Sequence, residues 1–93
     1  MPFPSLGSGM RQSVTVVNAN PGSITNGLTI SLALTVPLAV PGQIFIVQAP
    51  ALEAGLILSN PVCTTAGTVD VTIGNLTAAP VNPAAQDFYV IAL

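Results

Sequence analysis

The sequence predicts an all-β chain, a small antiparallel β-sandwich or barrel of about six or seven short strands. Three observations predict it. Apolar residues recur with a period of two, turn residues close each apolar segment after a few positions, and no segment carries the 3.6-residue period of an amphipathic helix. Residues 13–93 form this single domain, and residues 1–12, with Pro2, Pro4, Gly7 and Gly9, precede it as an extended N-terminal arm.

The first strand is Ser13-Val14-Thr15-Val16-Val17-Asn18, which stops at Asn20-Pro21-Gly22. The clearest segment is Leu28 to Thr35. There Leu28, Ile30, Leu32 and Leu34 alternate with Thr29, Ser31, Ala33 and Thr35, so one face is buried and the other is lined with hydroxyls. Pro37 and Pro41-Gly42 make residues 36–42 a loop, since proline cannot donate to a strand ladder. Ile44-Phe45-Ile46-Val47-Gln48 is continuously apolar and suits a strand buried on both faces. Ala51 to Ala54 lies between Pro50 and Gly55 and can form one helical turn at most. A short strand, Leu56-Ile57-Leu58, ends at Asn60-Pro61. Val62 to Thr65 and Thr68 to Gly74 then form a hairpin about Ala66-Gly67, with Val69, Val71 and Ile73 facing one way and Asp70 and Thr72 the other. Residues 78–83 are a proline-bearing connector, and Phe88 to Leu93 is the last strand.

A domain of this length buries a modest fraction of its surface and usually draws on disulfides, a metal or oligomerisation for stability. Cys63 is the sole cysteine and there is no histidine, so neither an intrachain disulfide nor a zinc site can form. Oligomerisation is left. Charge gives the same indication, because Arg11, Glu53, Asp70 and Asp87 are the only charged side chains and the net charge is −2. Charged residues are 4% of the chain while 51% is hydrophobic, where an ordinary soluble domain is about 25% charged. Such a chain is not disordered. Its surface must be carried by Thr, Ser, Asn and Gln, covered by other protein, or both.

The chemical inventory predicts a non-enzyme. Hydroxyls are plentiful, but no histidine or lysine can activate one. Glu53, Asp70 and Asp87 lie in three separate segments, which gives no carboxylate pair and no ligand-dense calcium loop. They read as solvated residues, and Cys63 as a small buried apolar group. No catalytic, cofactor-binding or metal-binding residue is therefore assigned. Asn75-Leu76-Thr77 matches the glycosylation sequon, which matters only in a secretory setting. Residues 1–12 contain no apolar core of a secretory signal, so the chain is expected to begin at Met1 as made. One arginine and no lysine cannot neutralise a run of phosphates, which excludes nucleic acid as a partner. Residues 28–58 carry a single charge, yet Pro37, Pro41, Pro50, Gly42 and Gly55 interrupt them, so no membrane helix is expected.

The order of segments resembles a family. Asn20-Pro21-Gly22-Ser23-Ile24 within residues 14–35, then Val40-Pro41-Gly42-Gln43-Ile44, Ala49 to Leu56, Val62, Gly67-Thr68-Val69, Asn75 to Pro80 and Phe88-Tyr89-Val90 resemble small β-sandwich virion proteins of tailed bacteriophages. The resemblance spans residues 14–93 and contains no catalytic signature; the segment 1–12 has no counterpart in it. It implies a capsid cement or decoration subunit on the outer surface of a phage head, bound to the major capsid protein and to itself as a homotrimer. The alternative is a tail- or fibre-associated sandwich that binds a host glycan or another virion protein. Glycan sites use stacking aromatics, for which Phe3, Phe45, Phe88 and Tyr89 are the candidates.

Overall fold

Each alternating segment becomes a strand in the computed structural model, which describes residues 13–93. The strands are β1 (Ser13–Ala19), β2 (Thr29–Thr35), β3 (Phe45–Gln48), β4 (Leu56–Thr65), β5 (Thr68–Asn75) and β6 (Gln86–Ala92). They form two three-stranded antiparallel sheets, ordered β1-β6-β3 and β2-β5-β4. The sheets pack face to face with β1 over β2 and β3 over β4, which is a small β-sandwich. The arm predicted for residues 1–12 lies outside the described residues.

Period-two patterning accounts for the core. Val69, Val71 and Ile73 of β5 meet Phe88 and Val90 of β6 across the interior, and all five are at most 1% exposed. Ile24, Leu34, Val36, Ala39, Phe45, Leu56, Cys63 and Ala92 complete the cluster. Among the described residues only β4 and β5 join as a hairpin, about Ala66-Gly67 with Gly67 at φ 86°. Every other connection crosses from one sheet to the other. The long ones are tied together by a two-residue bridge, in which Ile24 N donates to Val81 O at 2.8 Å and Val81 N returns to Ile24 O at 3.0 Å.

Two expectations are corrected. Ile44 to Gln48 is not buried on both faces: β3 is the edge strand of its sheet, Phe45 and Val47 point inward, and Ile44 and Ile46 are exposed. Nor does a strand end at Asn60-Pro61. Leu56–Thr65 is one strand whose register with β5 shifts between Ser59 and Val62 and again between Val62 and Thr65. Asn60 takes a left-handed conformation (φ 52°), and the strand continues past Pro61 as a bulge. β4 is an edge strand, where proline's missing N–H is tolerated. No helix forms at Ala51 to Ala54, which lies in turns and irregular chain.

Gly55 has a structural duty in the turn before β4. Its φ of 86° suits glycine, and a Cβ there would collide with the Thr77 methyl, whose position is fixed by hydrogen bonds of the Thr77 hydroxyl. Gly55→Ala is expected to destabilise the fold by about 2–3 kcal/mol, read as a lower midpoint in urea unfolding.

Candidate functional site

Strand alternation puts a second set of side chains on the outer face of each sheet, and the two outer faces differ in chemistry. On the β2-β5-β4 sheet, Thr29, Ser31, Ala33 and Thr35 stand beside Thr68, Asp70 and Thr72, with Ser59 and Thr64 on β4. Hydroxyls dominate it, and the exposed Ile57 beside Gly74 is its main apolar exception. This is the polar face that the alternation of residues 28–35 predicts.

On the β1-β6-β3 sheet the outer face is apolar. Antiparallel register sets Val14, Ile91 and Ile46 in one row across the three strands and Val16, Tyr89 and Gln48 in the next. At one end Leu93 N bonds Ile44 O at 3.0 Å, which continues the apolar surface through two more exposed side chains. At the other end Asn18 pairs with Asp87, Nδ2 donating to Oδ1 at 3.0 Å, and the face becomes polar. Val14 is 58% exposed and Ile44 67%. A contiguous apolar surface of this kind on a small chain marks a contact site for another molecule.

These residues escaped sequence reasoning, although a signal was present. Both parities of Ile44 to Val47 and of Phe88 to Ile91 are apolar, which means that neither face of those strands is adapted to water. For Ile44 to Gln48 the double-sided pattern predicts burial within the chain. Here one side is buried by the second sheet and the other is left open.

The charged candidates are dispersed. Glu53 accepts a hydrogen bond from Ala84 N at 2.9 Å on Oε2 and one from Gln86 Nε2 at 3.0 Å on Oε1, clipping the turn before β4 to the start of β6. The Ala84 amide, then the Gln86 side chain, hold its carboxyl below the ordinary value of 4.5. A carboxylate with a lowered folded pKa stabilises the fold at pH above its unfolded value, and the contribution disappears as pH falls through the folded value. Glu53→Gln is therefore expected to flatten the acid limb of a stability-versus-pH curve below about pH 4.5 while leaving its shape at neutral pH unchanged. Asp70 lies on the hydroxyl face and Asp87 pairs with Asn18, and among the described residues no group of three or more His, Cys, Asp or Glu could hold a metal ion.

Cys63 is buried in β4 and its Sγ donates to Thr65 O at 3.2 Å, as suits a small core group. Asn75 of the sequon is 1% exposed, and its amide is used within the fold: Nδ2 donates to Ile24 O at 2.9 Å and to Ala79 O at 3.0 Å. A side chain so placed is a structural hub, closed to a glycosylating enzyme while the chain is folded. Of the aromatic candidates for glycan stacking, Phe45 and Phe88 are core residues, Phe3 lies outside the described residues, and Tyr89 alone reaches the surface. Residues 28–58 form β2, β3 and the start of β4, and no helix of the described residues is long and apolar enough to cross a membrane. The chain matches no protein-family model, no curated protein and no solved structure.

Proposed function

We propose that this chain is a structural subunit of a protein shell, attached through the apolar outer face of the β1-β6-β3 sheet and presenting the hydroxyl face of the β2-β5-β4 sheet to water. One observation carries the reading: the outward side chains of the two sheets differ, mainly apolar on β1-β6-β3 and mainly Ser and Thr on β2-β5-β4, while Leu28, Leu38, Val40 and Leu76 are exposed in the connecting segments. A monomer gains nothing from that arrangement, since an exposed apolar face is a standing cost in water. A subunit lying flat on a larger surface does, because contact buries the apolar side while the Ser and Thr side keeps the assembly soluble.

The sequence resemblance names the shell, the head of a tailed bacteriophage, where the chain would act as a cement or decoration subunit over the major capsid protein. Adhesion rests on apolar area and backbone hydrogen bonds, with four charged side chains in the whole chain to contribute ion pairs. Attachment of this kind resists salt, because screening acts on charges. The test is the composition and endurance of purified virions. The chain is expected in stoichiometric amount with the capsid protein, and particles made without it are expected to lose their genome at lower temperature. Its absence from purified virions would overturn the assignment.

A further inference from the structure

The sandwich has two open rims, and they are built differently. At the β3–β4 rim, β3 is only four residues long and β4 carries the Asn60-Pro61 bulge with its register shifts. Short length, proline and bulges are the devices by which sheets avoid edge-to-edge pairing. At the β1–β2 rim none of them is present. β1 (Ser-Val-Thr-Val-Val-Asn-Ala) and β2 (Thr-Ile-Ser-Leu-Ala-Leu-Thr) are each seven residues long, with unbroken register and without Pro, Gly or a charged side chain. Among the described residues, no strand pairs with the outer edge of either. Each edge therefore displays a row of backbone N–H and C=O groups beside β-branched and hydroxyl side chains that favour strand pairing.

We infer that the β1–β2 rim is a self-association edge, at which a second copy of this chain adds β1 antiparallel to β1 and β2 antiparallel to β2 about a two-fold axis normal to the sheets. The occupant is a second copy for two reasons. Both strands of the rim are open and superposed, so a partner must supply two strands at the same spacing, which the same rim does. An axis normal to the sheets also keeps the two sides of the sandwich distinct. The apolar outer faces of both copies then join into one six-stranded surface through Val14 and Val16, and the hydroxyl faces join on the other side. Such a contact is isologous and closes at two copies. It differs from the three-fold arrangement that the family resemblance implies, and it stands whether or not the apolar face meets a phage shell.

Sedimentation of the full chain, with amide hydrogen exchange across a dilution series, tests this. A dimer is expected, with β1 and β2 amides protected at high concentration and released on dilution. The paired substitution Thr29→Lys and Ser31→Lys lies on exposed positions of the hydroxyl side of β2. It should weaken dimerisation at least about tenfold, since lysines on an edge strand oppose pairing and the two-fold gathers the added charges of both copies on one face of the new sheet. Thr64→Lys, exposed on β4 at the other rim, should leave it unchanged. A monomer at all concentrations, a trimer, or an assembly dissolved by Ile46→Asp on the apolar face but not by the paired lysines would each overturn the inference.

Discussion

Replacing Asn75 with alanine is expected to destabilise the fold by about 3 kcal/mol, a large part of what a small domain has. Asn75 is the last residue of β5, and its side chain joins the β1–β2 and β5–β6 connections at one buried point. Nδ2 serves the carbonyls of Ile24 and Ala79, while Oδ1 accepts from Thr77 N at 2.9 Å and lies 2.7 Å from the Thr77 hydroxyl. Ile24 O keeps a donor in the variant, since Val81 N already bonds it, and Ala79 O can keep the Thr77 hydroxyl. Thr77 N loses its acceptor, and a partly buried cavity replaces the amide. The cost follows from that orphaned group and the lost packing. For a chain of this size the melting temperature should fall by roughly 12–24 °C, at about 4–8 °C per kcal/mol.

Asn75→Asp separates hydrogen bonding from size. It keeps the shape and the acceptor for Thr77, yet at neutral pH it turns a carboxylate oxygen toward two carbonyls. It should therefore be at least as damaging as alanine near pH 7 and partly recover in acid, where the protonated carboxyl can donate again. Thr77→Val, which removes only a hydroxyl, should cost about 1 kcal/mol. A loss confined to Asn75→Ala, with Asn75→Asp and Thr77→Val close to the parent chain, would show that the site is held by packing alone. Urea unfolding of the four chains at two pH values decides the matter.

The contrast between β5 and Asn75 shows what the sequence made legible. Val69, Val71 and Ile73 alternate with polar residues because one face of β5 is buried by the other sheet and the other is wet, so periodicity alone places them. The same principle serves β2. It serves β3 only in part, because an apolar residue on the second face says that something must cover that face without saying whether the cover belongs to the same chain. On that ground the pattern predicts an interior position for Ile44 and Ile46, and the exposed face they build is the candidate site. The bulge in β4 was hidden for another reason. Asn-Pro ends a strand in most settings, and only the edge position lets this strand pass through it. The structural part of Asn75 is invisible beyond its sequon match, because local sequence carries no record of Ile24, which lies 51 positions away in the chain.

The largest effect on assembly is expected from Ile91→Asp, which should weaken attachment to shells by at least about a hundredfold, since truncation or charging at the centre of an interface outweighs changes at its rim. Ile91 lies on the central strand of its sheet with Val14 on one side and Ile46 on the other. An aspartate there would have to lose its water on contact and would find no cation among the neighbouring side chains named in these rows. In the free chain position 91 is partly exposed, so the carboxylate keeps part of its water and folding stability should fall by about 1–2 kcal/mol, which unfolding of the variant measures directly. Ser59→Asp, exposed on the opposite face, is the matched substitution: it adds the same charge and should leave attachment within about twofold, as expected of a position outside the contact. Co-sedimentation of each chain with shells stripped of it gives the two affinities. Release by Ser59→Asp and retention of Ile91→Asp would reverse the orientation, placing the hydroxyl face on the shell and leaving the apolar face in need of another cover. Equal retention of both would remove the sheet faces from the contact altogether and leave the strand edges and residues 1–12 as the attachment surface.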